Sequence, residues 1–164
     1  MDGKKEKLKK QRYNDLYMDL ATRISEMSYA TRLQVGSVIV KDSNIISFGW
    51  NGMPSGWDNN CEEVVDVDPS DIRYNYNHFT KELKTKPEVI HAEQNALIKL
   101  SKSTNSTNGA TMFITHAPCL DCAKLVYQSG INSVYYRNSY RNDDGIDFLK
   151  KCEVEVCQVK PCNS

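Results

Sequence analysis

The sequence predicts an α/β fold of three layers, α/β/α, in which helices cover both faces of a central mixed five-stranded sheet. Two β-rich runs separated by turn residues near the start predict an antiparallel hairpin. From residue 91 onwards, helical and strand patterns alternate, as they do where crossover helices join parallel strands. The 164 residues suffice for a single domain with one hydrophobic core, which we place over residues 1–164.

The first half of the chain supplies one helix and the hairpin. Residues 11–29 have an apolar residue every three or four positions, which predicts an amphipathic helix. The hairpin strands are 35–40 (VGSVIV) and 44–50 (NIISFGW), and the predicted turn residues are Asp42, Ser43 and Asn44. The predicted apolar stripe of the helix consists of Tyr13, Leu16, Tyr17, Leu20, Ile24 and Met27.

Residues 53–90 form a long insertion without a regular apolar period, apart from a possible helix at 70–84. A loop dense in Asn, Gly and Pro (NGMPSGWDNN, 51–60) leads into it. Irregular segments of this length are uncommon inside compact domains and often carry function.

The second half completes the sheet. In the last strand, Val154 and Val156 face one way and Glu153 and Glu155 the other, a pattern typical of a sheet edge or an interface. The predicted helices are 91–101, 119–130 and 143–151, and the predicted strands are 110–115, 132–137 and 153–159.

Composition excludes several classes of protein. Lys plus Arg and Asp plus Glu both count 21, and this balance argues against broad electrostatic binding of nucleic acid. Basic residues are concentrated in a leader at 1–10, which we interpret as a solvated tail or the start of a helix. No secretory signal and no membrane span is predicted, so we expect a cytoplasmic protein whose six cysteines are reduced or metal-bound.

The clearest candidate site combines a histidine, a glutamate and two cysteines. His91 and Glu93 lie in HAEQNAL at the start of one predicted helix, and Cys119 and Cys122 lie in APCLDC at the start of another. His-x-Glu followed by Pro-Cys-x-x-Cys is the signature of zinc-dependent nucleobase deaminases. Because Cys-x-x-Cys alone also occurs in thioredoxin-like redox sites, the histidine and glutamate decide the interpretation.

Three protein ligands leave the fourth position of a tetrahedral zinc ion open, as catalysis requires. We therefore predict that His91, Cys119 and Cys122 bind zinc and that Glu93 moves protons between water and substrate. The alternative is a structural zinc site in which Glu93 only favours the positive end of a helix dipole. Structural sites, however, usually have four Cys or His ligands.

Beyond the metal motif, the chain resembles the cytidine deaminase superfamily, and within it the deoxycytidylate (dCMP) deaminases. The resemblance rests on VGSVIV with GWNGMPSG, on HAEQNAL, on GATMFIT and on APCLDCAKLVYQSGI. It implies a cytidine-deaminase-like fold and the zinc-dependent hydrolysis of dCMP to dUMP and ammonia, which supplies dUMP for dTMP synthesis.

The resemblance also implies which residues bind the substrate. Asn51 would contact the deoxyribose, and Tyr140–Arg141 would bind the 5′-phosphate in preference to Arg23 or Arg32. Deaminases of free nucleosides carry a glutamate at the position of Met53, and its absence suits a substrate with an anionic phosphate. The predicted substrate-binding residues are Asn51, Ala92, Pro118, Tyr140 and Arg141.

Enzymes that resemble this chain are typically hexamers, activated by dCTP and inhibited by dTTP, with Mg²⁺ on the triphosphate. The resemblance implies the same effector response and a homo-hexamer here. The predicted effector site consists of Arg32, Gln34, Gly49, Trp50, Asn51 and Gly52.

Two points stay open in the sequence. Some members of the family hold a second, structural zinc ion, but here only Cys61 and His78 are candidates, and two ligands do not close a tetrahedral site. His116 follows a predicted strand beside the zinc loop, and it either lines the pocket or serves the packing.

The alternative enzyme is a polynucleotide deaminase, acting on cytidine or adenosine in RNA or single-stranded DNA with the same zinc chemistry. Such an enzyme needs a basic groove and stacking aromatic residues. The neutral charge and the NGMPSG loop argue against it, and we expect no nucleic-acid partner. The insertion is also acidic, with Glu62, Glu63, Asp66, Asp68 and Asp71.

Overall fold

The computed structural model describes residues 2–66 and 81–159, so Asp68, Asp71 and His78 lie outside the described residues. The described residues form four helices and seven strands. The helices are α1 (Asp2–Ser25), α2 (Ala92–Leu100), α3 (Leu120–Gln128) and α4 (Asp144–Lys151). The strands are β1 (Gly36–Lys41), β2 (Asn44–Trp50), β3 (Glu62–Asp66), β4 (Lys81–Thr85), β5 (Thr111–His116), β6 (Ser133–Asn138) and β7 (Glu155–Gln158).

Five strands form the mixed sheet that the sequence predicts, in the order β2-β1-β5-β6-β7. β1 pairs antiparallel with β2 and β5, whereas β5, β6 and β7 are parallel neighbours. The hairpin turn is formed by Asp42 and Ser43, which both have positive φ (50° and 63°), as a two-residue turn between twisted strands requires. α3 and α4 form the crossovers between the parallel strands.

Alternate residues along the strands form two cores, one on each face of the sheet. Val38 and Phe113 point towards α1, while Ile39 and Met112 point towards the face covered by α2, α3 and α4. The three layers and the helices on both faces are therefore confirmed. The core beneath α1 also contains Tyr17, Met18, Ala21, Val40, Tyr135 and Val159.

The first helix differs from its prediction in extent and in its buried face. α1 begins at Asp2, so it includes the basic leader, and it ends at Ser25 instead of residue 29. The predicted stripe is wrong at Tyr13, Leu16 and Met27, which are exposed. None of the described helices is both long enough and apolar enough to cross a membrane.

Two glycines let helices approach the sheet closely. Met18 and Ala21 form the buried face of α1, which lies so near β1 that a Cβ on Gly36 would be 2.1 Å from the Ala21 carbonyl oxygen. A Cβ on Gly49 of β2 would lie 2.4 Å from the carbonyl oxygen of Ala92, the first residue of α2. The start of α2 is therefore packed directly against β2 at a glycine.

β3 and β4 form a separate antiparallel pair within the insertion, which the sequence did not predict. The predicted helix at 70–84 is wrong over 81–84, which belong to β4, and the rest of it lies outside the described residues. Both strands have five residues and many charges, so neither has a long apolar period. Their signal is the opposite charge across the pair, at Glu63–Lys84 and Asp66–Lys81.

The last strand lies at the edge of the sheet, as its one-sided pattern predicts. It begins at Glu155, later than predicted, because Glu153 has a positive φ of 59° and belongs to the turn after α4. Val154 is buried at this turn, and Glu155 is exposed.

Candidate active site and metal centre

His91 and Cys119 occupy equivalent positions, each immediately before a helix. His91 is the N-cap of α2 and Cys119 the N-cap of α3, and both have extended backbone (φ −71°, ψ 158° and φ −69°, ψ 166°). Cys122 lies in the first turn of α3 and is buried. The Nδ1 atom of His91 is 3.7 Å from the Sγ of Cys119 and 3.3 Å from the Sγ of Cys122. The three side chains predicted to bind a metal thus lie together.

The spacing and chemistry of these three side chains suit zinc. Their ligand atoms lie within 4.8 Å of one another, and they form the one such group of His, Cys, Asp and Glu found among residues 2–66 and 81–159. At usual Zn–N and Zn–S bond lengths, a nitrogen and a sulfur of a tetrahedral site are about 3.6 Å apart. One imidazole and two thiolates could hold zinc and leave a fourth position for water.

Hydrogen bonds among the three side chains decide which of them carry protons before metal binds. The hydrogen bond from Cys122 lowers the pKa of the Cys119 thiol to about 4, and His91 adds to this effect. The same contact, together with burial, raises the pKa of Cys122. The hydrogen bond to Cys119 raises the pKa of His91. Because zinc binds thiolates and neutral imidazole, the raised pKa values of Cys122 and His91 mean that metal affinity should fall as the pH falls.

Glu93 is the second residue of α2, and only 4% of it is exposed. Burial, which penalises the charged form, raises the pKa of Glu93 to about 7. A carboxyl group with a pKa near the working pH can both accept and donate a proton. This position suits proton transfer beside the three candidate ligands.

Two hydrogen bonds fix the start of α2. The Gln94 side chain accepts a hydrogen bond from the backbone N–H of His91 (2.9 Å), which is half of a capping box. The Ser37 hydroxyl, which is buried on β1, donates to the carbonyl oxygen of Ala92 (2.8 Å). Sequence reasoning missed Ser37, because a serine within an apolar strand carries no sign of its partner.

The segment before α3 is held by α4. A Cβ on Gly145, in the first turn of α4, would lie 2.1 Å from the carbonyl oxygen of Pro118 and 2.9 Å from the carbonyl carbon of Cys119. Gly145 therefore allows α4 to pack against the backbone of a candidate ligand. Its signal in the sequence was a glycine inside a predicted helix, where glycine is unfavourable by about 1 kcal/mol relative to alanine.

A cavity of about 70 Å³ opens beside the candidate metal centre. Of the residues predicted to bind substrate, Asn51, Ala92 and Tyr140 line it, and so does His116. Pro118 is fully buried outside the lining, and Arg141 is exposed.

Two walls of this cavity have different origins. The metal wall consists of His91, Ala92, Glu93 and Cys119, all at the starts of α2 and α3. Sequence reasoning missed a second group of lining residues, the insertion wall, whose members are apolar or small. This insertion wall consists of Leu33 and Val35 from the loop before β1 together with Thr85 and Val89 from the insertion.

Asn51 connects the pocket to the loop before β1. Its side-chain oxygen accepts the backbone N–H of Val35 (2.8 Å), and its amide group donates to the carbonyl oxygen of Leu33 (2.9 Å). Since an asparagine amide has two N–H donors and an oxygen with two lone pairs, one donor and one lone pair remain for a ligand. Asn51 thus has a structural task besides the predicted contact with substrate.

Arginines lie near both sides of the pocket mouth. The Arg141 guanidinium lies 5.6 Å from the centre of the Tyr140 ring, and Tyr140 lines the cavity. On the insertion wall, Arg32 donates a hydrogen bond to the Thr85 hydroxyl (3.0 Å). Arg23, by contrast, pairs with Glu26 on the exposed side of α1.

The residues predicted to bind an effector divide into two groups. Trp50, Asn51 and Gly52 line a second cavity, of about 350 Å³, which also contains Lys99. Gln34 instead donates to the Ser28 carbonyl oxygen, while Arg32 contacts Thr85 and Gly49 packs against α2.

Lys99 was not predicted as a ligand-binding residue. Its ammonium lies 4.5 Å from the centre of the Trp50 ring and 4.7 Å from that of Phe48, and it donates to the Phe48 carbonyl oxygen. Burial lowers the pKa of Lys99. A cation that lies over two neighbouring rings is thus available at the second cavity.

Cys61, the candidate for a second zinc site, packs among apolar side chains. Its neighbours are Ala30, Val89 and Met53, and burial raises the pKa of its thiol. Such an environment favours the neutral thiol over the thiolate that binds metals.

Comparison with known proteins identifies the family. Residues 11–138 match the family described as cytidine and deoxycytidylate deaminase zinc-binding region. The deoxycytidylate deaminase of Enterobacteria phage T4 is 32% identical over 173 residues, covering 89% of each chain. The ComE operon protein 2 of Bacillus subtilis (strain 168) is 31% identical over 153 residues, covering 90% of this chain and 71% of that protein.

A solved structure gives the same result. The dCMP deaminase of cyanophage S-TIM5, crystallised in complex with dCMP and dUMP, is 41% identical, with a TM-score of 0.76 and coverage of 90% of this chain and 97% of that chain. The region matched by the family model contains His91, Glu93, Cys119 and Cys122. The chain belongs to the family of zinc-binding cytidine and deoxycytidylate deaminases.

Proposed function

We propose that this protein catalyses the hydrolysis of dCMP to dUMP and ammonia. The observation that carries the proposal is the convergence of His91, Cys119 and the buried Glu93 on a cavity that Asn51 also lines. The relatives named as deoxycytidylate deaminases, and the one crystallised with dCMP and dUMP, support this choice of substrate. The proposal includes a role in supplying dUMP for dTMP synthesis in the cytoplasm.

In this proposal, His91, Cys119 and Cys122 hold zinc. Zinc held by these residues would lower the pKa of a water molecule to about 7 and so supply a nucleophile at neutral pH. Glu93 would take a proton from the attacking water as the water oxygen adds to C4 of the cytosine, and would deliver this proton to the ring nitrogen N3. Glu93 then transfers the second proton of the water to the amino group, the C4–N bond breaks, and ammonia leaves. One water molecule is consumed for each ammonia released.

The remaining polar groups orient the nucleotide. Asn51 has one amide N–H free for the deoxyribose, and the backbone N–H of Ala92 has no acceptor within the helix because it is the first residue of α2. Tyr140 and Arg141 would bind the 5′-phosphate at the mouth of the pocket, and Pro118, which is buried outside the lining, would act by supporting the residues that line it. A guanidinium suits this task because it forms charge-assisted hydrogen bonds with phosphate oxygens.

The direct test is to incubate the zinc-loaded protein with four substrates: dCMP, dCTP, deoxycytidine and a cytosine-containing single-stranded oligonucleotide. Loss of cytosine absorbance reports deamination, and the Glu93→Gln variant with bound zinc is the control. Deamination of dCMP in preference to the other substrates is expected. Activity on the oligonucleotide alone would instead favour the polynucleotide deaminase, and no activity on any substrate would favour a structural zinc site.

We further propose that dCTP activates and dTTP inhibits the enzyme, each with Mg²⁺, in a homo-hexamer. Asn51 lines both the substrate pocket and the second cavity, so a ligand in that cavity could act on the pocket through one side chain. Lys99 offers a cation there for a triphosphate. The dCMP rate curve should be sigmoidal and become hyperbolic with dCTP, and light scattering should give six chains. Hyperbolic dCMP rate curves that neither dCTP nor dTTP changes would refute the proposed regulation.

A further inference from the structure

Glu62 is a buried carboxylate that lies outside the pocket. It is the first residue of β3, and only 6% of it is exposed. Its oxygens accept hydrogen bonds from the backbone N–H of Thr31 (3.1 and 3.3 Å), the Thr31 hydroxyl (3.1 Å) and the backbone N–H of Arg32 (3.2 Å). Two consecutive backbone N–H groups that share one carboxylate hold that segment in a single conformation.

The segment fixed by Glu62 leads directly into the insertion wall. Leu33 and Val35, which follow it, line the pocket. Their backbone groups are also the partners of the Asn51 side chain, at 2.9 and 2.8 Å. A shift of Thr31 and Arg32 would therefore move two lining residues together with the asparagine proposed to contact the deoxyribose.

The same strand pair supplies the other half of this wall. Glu62 is directly opposite Thr85 in the β3–β4 register, and Thr85 lines the pocket. The Arg32 guanidinium donates to the Thr85 hydroxyl, and the backbone N–H of Lys86 donates to the Cys61 carbonyl oxygen (3.0 Å). The Arg32–Thr85 bond thus adds a second link between the loop before β1 and the insertion, and the Lys86–Cys61 bond extends the pairing of β3 with β4.

We propose that Glu62 is a positioning residue, which holds the insertion wall at its distance from the metal wall. Glu62 thereby affects the affinity for the nucleotide, whereas residues of the metal wall carry out the chemical step. The inference depends on the proposed function only for the substrate of the kinetic assay.

The kinetic test compares Glu62→Gln with Glu63→Gln, the same charge change on the neighbouring residue. Glu63 is exposed and lies opposite Lys84, so its loss leaves the contacts with Thr31 and Arg32 intact. For Glu62→Gln we expect the KM for dCMP to rise about fivefold with kcat within twofold, since binding alone is weakened. The KM of Glu63→Gln should equal that of the wild type. The KM of Glu62→Ala should exceed that of Glu62→Gln, because alanine leaves no acceptor for the backbone N–H groups.

A second measurement requires no activity. Hydrogen–deuterium exchange of the peptide covering residues 29–36 should be faster in Glu62→Gln than in Glu63→Gln, in protein without nucleotide. Thr31→Ala removes the hydroxyl donor to Glu62 but leaves the backbone donors of Thr31 and Arg32 in place, so its KM should rise less than that of Glu62→Gln. If the wild type proves to act on another nucleotide, the exchange result still tests the role of Glu62.

Two results would overturn the inference. Equal KM and equal exchange in Glu62→Gln and Glu63→Gln would show that the Glu62 carboxylate does not position the residues of the insertion wall. Parallel losses of kcat, bound zinc and melting temperature, with KM unchanged, would assign Glu62 to the stability of the fold alone.

Discussion

The metal wall and the insertion wall face the same cavity but are built in different ways. His91, Glu93 and Cys119 lie at the starts of helices that pack on the central sheet. The insertion wall comes from the loop before β1 and from a two-stranded sheet that is separate from the central one. Hydrogen bonds, chiefly those of Asn51 and Glu62, hold it in place.

This difference suggests a division of tasks. Groups that must stay in place during proton transfer belong on rigid elements, whose geometry is fixed by packing. Residues that select a substrate can lie on connecting segments, which vary without loss of the fold. Changes to the metal wall should therefore lower kcat or metal content, whereas changes to the insertion wall and the mouth should alter KM.

The largest effect is expected for Glu93→Gln. Without a carboxylate, protons cannot be moved between water and the pyrimidine, so kcat should fall by about 10² to 10⁴. Bound zinc should stay near one per chain, because Glu93 is not among the proposed ligands. Initial rates with dCMP, together with metal analysis of the same sample, provide the check. Loss of zinc in parallel with activity would make Glu93 a ligand and contradict the assignment.

Gly145→Ala tests whether the metal wall depends on α4. The added methyl group would lie 2.1 Å from the Pro118 carbonyl oxygen, so the backbone before Cys119 must move. We expect zinc affinity to fall by about 10-fold to 100-fold, and stability to fall by about 1–3 kcal/mol. Competition with a chromophoric chelator measures the zinc affinity, and thermal unfolding measures the stability.

Gly3→Ala is the matched control for this change. It adds the same methyl group to the first turn of a helix, at a position with no heavy atom within 4 Å of the new Cβ. Equal zinc affinity in both variants would show that the Cys119 backbone can adjust without cost.

Arg141→Ala tests which side of the pocket binds the phosphate. Loss of a charge-assisted contact should raise the KM for dCMP by about tenfold, with little change for deoxycytidine, which lacks the phosphate. Arg23→Ala is the control, because Arg23 pairs with Glu26 away from the pocket. If the KM for dCMP rises in Arg32→Ala but not in Arg141→Ala, the phosphate binds on the side of the insertion wall. Equal effects on dCMP and deoxycytidine would exclude Arg141 as a phosphate ligand.

The same contrast explains what could be predicted from the sequence. The metal wall uses chemically distinctive residues at short, fixed spacings, and the helix starts at 91 and 119 were predicted to within one residue. The sheet was also predicted, because its strands have regular apolar periods and well-marked turns. The insertion wall has neither distinctive residues at fixed spacings nor a regular apolar period. Thr85 and Val89 carry no motif. Thr85 is placed by the pairing of β3 with β4, and Val89 by packing against Ala30 and Cys61.

Other errors have a similar physical origin. Helical periodicity identified α1 and part of its buried face, since Tyr17, Leu20 and Ile24 pack in the core beneath it. The close contact at Gly36 turns this face towards Met18 and Ala21 and leaves Tyr13 and Leu16 exposed. Glycines and hydroxyl groups act through partners distant in the chain, as Ser37 does with Ala92. Such long-range contacts follow from topology, which short spacings do not reveal.

The smallest expected effect is a pH dependence at His116, which lines the pocket at the end of β5. Burial lowers the pKa of His116 below its value of about 6.5 in an unfolded chain. The Thr115 hydroxyl accepts the backbone N–H of Gly36, which leaves its proton free for the His116 Nδ1 atom at 3.1 Å, and this contact suits a neutral ring. Below pH 6.5 the unfolded state binds more protons than the folded state, so the stability contributed by His116 is lost as the pH falls.

His116→Gln removes this titration while keeping a polar side chain. The melting temperature of the wild type should exceed that of the variant most at pH 7–8, and the difference should shrink towards pH 5 as the unfolded-state histidine gains its proton. Loss of metal at low pH affects both proteins, so it cancels in the difference when zinc is supplied equally. A difference that stays constant with pH would mean that His116 contributes through packing alone. The pH response of the pocket would then come from the candidate ligands and Glu93.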